Sequence, residues 1–204
     1  MFLGSGEGLV FKGAVGPWYS PNTKECHLSL DEAKKVAHMV VKSYVENVGK
    51  PPKELFIHGR SRFTEEEWKG FQQGVEAGTS VSCITIKRSN DLKLFRDGTR
   101  PTLRGSTLQV SSRRGYLWTT GYVPQLGTYP GREVPNPLSI EIGFGASNLQ
   151  QVLSDVQGLT KLNFNACIYA DGLPVTLRFA NAVGEILTAC PLDDLPPLPF
   201  RHYI

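Results

Sequence analysis

Apolar side chains recur along this chain at two spacings, and the switch between them sets the order of its elements. Leu30, Ala33, Val36, Ala37, Val40, Val41, Tyr44 and Val48 follow the spacing of a helix with one buried face. Ser29 and Glu32 form a capping-box pattern at its start, and Gly49, Pro51 and Pro52 end it. Before it, residues 8–19 carry Leu9, Val10, Phe11, Val15 and Trp18 in a β-prone run bent at Gly13 and Gly16. After it, residues 54–59 make a short apolar strand ending in His58 and Gly59. Thr64 and Glu67 then form a second capping box for a helix with Trp68, Phe71 and Val75. Residues 80–87 alternate as another strand, which completes a β-α-β-α-β pattern of a partly parallel sheet with helices on its faces.

Further along, residues 107–111 and 116–120 read as a hairpin turning at Arg113, Arg114 and Gly115. Residues 124–137, rich in Gly and Pro, read as an irregular loop, and residues 138–142 as a strand. Ser147 stands as the cap of a helix through Leu149, Val152, Leu153 and Val156. Gly172, Leu173 and Pro174 signal a last helix start, because Pro sits well where the backbone N–H has no intrahelical partner. Leu177, Ala180, Val183, Ile186 and Leu187 mark the expected buried face of that helix. The proline-rich tail from Pro191 is non-helical, with Phe200, Tyr203 and Ile204 apolar enough to dock.

The 204 residues suit one sizeable core, and one domain over 1–204 is expected. A net charge of +3 carries no argument about nucleic acid by itself. Local density does more: Lys87, Arg88, Lys93, Arg96, Arg100, Arg104, Arg113 and Arg114 gather within one stretch, although such runs are commonly solvated loops. Cys26, Cys83, Cys167 and Cys190 are far apart and lack metal-knuckle spacing, so neither a zinc site nor a disulfide framework is indicated. With no membrane-length apolar run and no signal-peptide pattern, a reducing, cytoplasmic setting without membrane attachment is the expectation.

Candidate chemistry concentrates in residues 159–181. Arg178 and Asn181 occupy the first turns of the last helix, near the positive end of its dipole, and Lys161, Asn163 and Asn165 lie just upstream. Cationic and amide groups around a helix start suit an anion such as phosphate. A solvated helix with polar caps is the plainer reading of the same residues. His58 and Arg60 stand beyond the carboxyl end of a strand, where ligands bind in open α/β sheets.

Five segments carry a resemblance to a known family: Lys53-Glu-Leu-Phe-Ile-His-Gly-Arg-Ser, Leu117-Trp-Thr-Thr-Gly, Leu159-Thr-Lys-Leu-Asn-Phe-Asn, Gly172-Leu-Pro-Val-Thr-Leu-Arg-Phe-Ala and Leu198-Pro-Phe-Arg-His-Tyr-Ile. In this order they resemble the PIWI domain of short prokaryotic Argonaute proteins. The resemblance implies an α/β, RNase H-like mixed sheet flanked by helices. It also implies a preceding MID domain and first sheet strand, neither recognisable here, so the chain is expected to be the C-terminal portion of a longer protein with one sheet edge left open.

Cleaving members of that family hold two metal ions with an Asp-Glu-Asp-Asp or Asp-Glu-Asp-His set, which stabilises the attacking and leaving oxygens of a phosphodiester. Here the strand-end Asp corresponds to His58 and the fourth position to Asn181, which implies loss of cleavage. Glu25 falls near the family's glutamate finger, and Asp97, in an Arg-Asp-Gly triplet after a different strand, reads as a turn. By resemblance Lys161, Asn163 and Arg178 touch guide phosphates, and the terminal carboxylate of Ile204 helps hold Mg2+ at the guide 5′ phosphate. Phosphate contacts fix a backbone while base pairing supplies sequence.

The implied function is a catalytically inactive module that presents a guide RNA to a single-stranded DNA target. It would signal to an APAZ-domain effector protein bearing a TIR, Sir2 or nuclease domain, in bacterial defence. Two rivals stand beside it: an active RNase H-like nuclease using Glu25, Asp97 and Asp171, and a structural docking partner of another chain.

Overall fold

A computed structural model describes residues 18–20, 25–127, 134–162 and 172–189. Strand β1 (Trp18–Ser20) pairs antiparallel with β2 (Glu25–His27) in a ribbon of its own, Tyr19 opposite Cys26. The described end of the first expected strand therefore lies outside the main sheet. Helix α1 (Leu30–Val48) follows at once. The Ser29 hydroxyl accepts from the Glu32 N–H, while the Glu32 carboxylate turns to Lys35 Nζ at 3.0 Å instead of closing a capping box. Gly49, at φ +80°, ends the helix in the left-handed conformation, its N–H on the Val45 carbonyl.

Strand β3 (Glu54–Gly59), helix α2 (Glu65–Gln73) and strand β4 (Ser80–Arg88) form a parallel β-α-β unit, Ile57 opposite Cys83. The Thr64–Glu67 capping box is complete in both directions. Strands β5 (Thr107–Gln109) and β6 (Arg114–Leu117) make the expected hairpin, but its turn is Val110–Arg113, not Arg113–Gly115. The Ser111 hydroxyl accepts from the Arg113 and Arg114 N–H groups and fixes that turn. Gly115 is thereby carried into β6, where an added Cβ would lie 3.1 Å from the Leu108 carbonyl oxygen. Strand β7 (Leu138–Phe144) completes a mixed sheet of order β3-β4-β7-β6-β5, antiparallel except for β3 and β4.

Helix α3 (Leu149–Leu159) is capped by Asn148, whose side chain accepts from Gln151 N–H at 3.2 Å. Ser147, the expected cap, instead donates its hydroxyl to Ser82 on β4 at 2.6 Å, which ties the helix approach to the sheet. Helix α4 (Val175–Ala189) comes last.

Apolar surface is buried on both faces of the sheet. On one, Ile84, Ile86, Ile140, Ile142, Leu117 and Leu138 pack against Leu149, Val152, Leu153 and Val156 of α3 and Leu177 of α4. On the other, Val81 and Cys83 meet Ala33, Ala37 and Phe71 of α1 and α2. Because β4 is covered on both sides, residues 81–86 are buried without a break, as expected of an interior strand. The two helices approach closely at Gly70, where a Cβ would lie 2.7 Å from the Cβ of Ala33.

Helix α4 departs from its expected pattern. Val175, Leu177 and Phe179 are buried and Ala180 is exposed. Its first turn is sunk into the protein on several sides, so a single apolar stripe does not describe it.

Candidate nucleic-acid interface

Strand β3 delivers His58 to the carboxyl end of the sheet, on the face that α4 covers. Phe56, two residues earlier and on the same side of the pleat, packs into the α3–α4 core. His58 Nδ1 lies 3.0 Å from the Thr176 hydroxyl in the first turn of α4. Burial pulls the imidazole pKa down from the ordinary 6.5 to about 4, because the charged ring would lose its hydration. His58 is therefore neutral at physiological pH and engaged in a hydrogen bond between two elements. Thr176 was not signalled by the sequence, since its role depends on a residue far away in the chain.

The start of α4 is set by contacts with the loop after β6. Gly172 has φ +81°, and a Cβ there would lie 2.7 Å from Thr119 Oγ1 and 2.9 Å from Thr120 Cγ2. Two of the segments singled out in the sequence, 117–121 and 172–180, thus meet in space. The Pro174 carbonyl accepts from the N–H groups of Leu177 (3.0 Å) and Arg178 (3.1 Å), which opens the helix and places Arg178, half-buried, in its first turn. Asn181 is half-buried further along α4.

Lys161 is exposed immediately after α3, its N–H on the Gly158 carbonyl. The α3 C-cap Thr160, only 1% exposed, donates its hydroxyl to the Gln157 carbonyl and receives Arg104 Nη2 at 3.4 Å. Arg104 thus adds positive charge to the negative end of α3 beside Lys161. Arg60 is exposed beyond β3. Asp97 is exposed in the loop between β4 and β5, next to Gly98 at φ +104°, the turn environment expected of it. Asn163, Asn165, Asp171 and Ile204 lie outside the described residues, as does the side chain of Glu25. Among the described residues no three His, Cys, Asp or Glu side chains gather as a metal cluster, and no helix is long and apolar enough to cross a membrane.

The basic run between residues 87 and 114 divides by what its members do. Arg113 donates to the carbonyls of Ile142, Gly143 and Gly145 at 2.9, 3.0 and 3.2 Å and pins the hairpin to β7. Lys93 donates to the Val134 carbonyl at 3.0 Å, and the Arg100 guanidinium lies 4.8 Å from the ring centre of Tyr122. Lys87, Arg88 and Arg114 border a cleft in the sheet.

No family model matches the chain, and no curated protein is significantly similar to it in sequence. Solved structures are similar in fold. Clostridium butyricum Argonaute, bound to a guide DNA and a 19-mer target DNA, matches 90% of this chain with 24% of its own, at 20% identity and a TM-score of 0.66. Aa-Ago with externally bound siRNA matches 84% of this chain with 23% of its own, at 17% identity and 0.62. A. aeolicus Argonaute matches 86% with 24%, at 18% identity and 0.61. This chain thus spans about a quarter of the length of those proteins. What they share with it is the fold, an α/β, RNase H-like mixed sheet flanked by helices.

Proposed function

We propose that this chain is the PIWI module, over residues 1–204, of a short Argonaute that holds a guide nucleic acid and does not cut. The observation that carries the reading is the fold match over 84–90% of the chain to Argonautes, one of them solved with guide and target strands in place. Lys161, Arg178 and Arg60, with Asn163 and Asn165, bind the phosphates of a guide RNA, leaving its bases to pair with a single-stranded DNA target. Loss of cutting is supported by His58. A neutral imidazole hydrogen-bonded to Thr176 stands where a cutting relative needs an anionic oxygen ligand for a divalent metal. Mg2+ at the guide 5′ phosphate, held by the Ile204 carboxylate, rests on the family resemblance, because the described residues do not include that end of the chain. Signalling to an APAZ-domain effector with a TIR, Sir2 or nuclease domain, in bacterial defence in the cytoplasm, completes the proposal.

The test is equilibrium binding of a 5′-phosphorylated guide RNA to the whole protein as a function of salt. Replacing Lys161 and Arg178 together with Ala is expected to weaken binding and flatten the salt dependence by about two phosphate contacts. Unchanged affinity and slope would defeat the assignment of these residues.

A further inference from the structure

We infer that Arg104 is a positioning residue for guide binding: from the loop before β5 it fixes the last turn of α3, and with it the point from which Lys161 reaches a phosphate. The inference rests on the reading of Lys161 as a phosphate ligand and adds to it a residue that acts through that lysine.

The backbone that carries Arg104 is anchored in the core. Its N–H donates to the Tyr122 carbonyl at 3.1 Å, and the next N–H, of Gly105, donates to the Trp118 carbonyl at 2.7 Å. Trp118 is fully buried and gives its indole N–H to the Pro135 carbonyl at 3.2 Å, so the anchor is itself held. Gly105, at φ +90°, makes the turn that leads into β5. A Cβ added there would lie 4.0 Å from Gln157 Nε2, which sets this turn against the end of α3.

The guanidinium meets α3 at a side chain that is already committed. Thr160, 1% exposed, is the C-cap; its N–H donates to the Val156 carbonyl at 3.1 Å and its hydroxyl to the Gln157 carbonyl at 2.7 Å. With that proton given, the hydroxyl oxygen accepts from Arg104 Nη2 at 3.4 Å. The carbonyls of a last turn lack intrahelical donors and carry partial negative charge, so a cation beside them resists fraying. Helix α3 has no basic residue in its own last turn, and Arg104 supplies one from elsewhere in the chain. Lys161 follows the cap at once, exposed, its N–H on the Gly158 carbonyl at 2.9 Å. Arg104 is half-buried and turned to Thr160, so contact with the guide falls to the lysine and support to the arginine. Without that support, Lys161 would have to be ordered when the guide binds, and the affinity would fall by that entropy.

Equilibrium binding of a 5′-phosphorylated guide RNA to the whole protein across a salt series, with thermal melts as a folding control, tests this. Arg104→Gln is expected to weaken binding about three- to tenfold with the salt slope unchanged, whereas Lys161→Ala lowers the slope by about one contact. Because Arg104 acts through Lys161, Arg104→Gln should change the affinity by less than about twofold in the Lys161→Ala background. Arg104→Lys, which keeps a cation at the helix end, should recover most of the affinity. Wild-type binding by Arg104→Gln, while Lys161→Ala loses affinity, would overturn this inference and leave the proposed function standing. A lower slope for Arg104→Gln would make the residue a phosphate contact, and additive losses in the double variant would make its effect independent of Lys161; either would overturn the positioning role. Absence of binding by the unaltered protein would overturn both the inference and the proposed function.

Discussion

His58, at the end of β3, and Thr176, in the first turn of α4, meet across 3.0 Å although 118 positions separate them in the chain. Their hydrogen bond fastens the last helix to the strand on which the family resemblance places a catalytic carboxylate, and it gives the imidazole a structural role.

That burial makes stability depend on pH. The folded pKa of about 4 lies below the ordinary 6.5, so between these values the unfolded chain binds more protons than the folded one. The His58 contribution is complete above pH 6.5 and is lost as pH falls through about 4. It amounts to about 3 kcal/mol over that window. Denaturant melts of wild type and His58→Gln across the window check it: the wild type should lose stability faster on acidification, and parallel curves would refute the shift.

Glu67 gathers three partners in a site only 5% exposed. Its carboxylate accepts from the N–H groups of Thr64 (2.7 Å) and Leu28 (2.9 Å) and lies 3.3 Å from His27 Nδ1. One side chain therefore closes the α2 cap and holds the ribbon that precedes α1. Glu67→Ala should cost about 2 to 4 kcal/mol, since the part-buried N–H groups of Thr64 and Leu28 lose their acceptor. A melt within 1 °C of wild type would contradict this.

At the α1–α2 crossing, Gly70→Ala sets two effects against each other. Helix propensity gains about 1 kcal/mol. The new methyl would press on the Leu30 carbonyl and the Ala33 side chain, a backbone group and a buried Cβ that do not yield by rotamer change. Overpacking of about 1 to 3 kcal/mol should win, giving a net loss of stability. A gain in melting temperature would show that the helices can separate at little cost.

Guided cleavage is the sharpest test of the inactive reading. With a bound guide, a matched single-stranded DNA target and Mg2+ or Mn2+, the whole protein should leave the target intact over hours. Guided cleavage abolished by Asp97→Asn would install the exposed loop carboxylate as a metal ligand and reverse the assignment.

Much of the fold was legible wherever burial is one-sided and local. The period of α3, the capping box of α2 and the compact β3 follow from neighbours in sequence and appear as expected. The misses share a cause in long-range contacts. Ser147 has the chemistry of a cap, but Ser82 on β4 claims its hydroxyl and Asn148 takes over. Arg113, Arg114 and Gly115 look like a turn, yet the Ser111 hydroxyl moves it upstream and Gly115 is wanted in the strand. The first turn of α4 is buried on several sides because Gly172 is seated on Thr119 and Thr120, which no helical period reveals. In the candidate site, Arg178 and Lys161 were visible as charges near helix ends, whereas Thr176 and Arg104 act through partners far away in the chain.

The position of β7 between β4 and β6 carries a consequence for synthesis. Residues 54–88 and 107–117 can each form a paired unit as they leave the ribosome, yet among the described strands it is β7, from residue 138, that joins the two. Up to that moment the nascent chain presents two unpaired strand flanks lined with Ile84, Ile86 and Leu117, the setting in which chaperone capture or misassembly competes with completion.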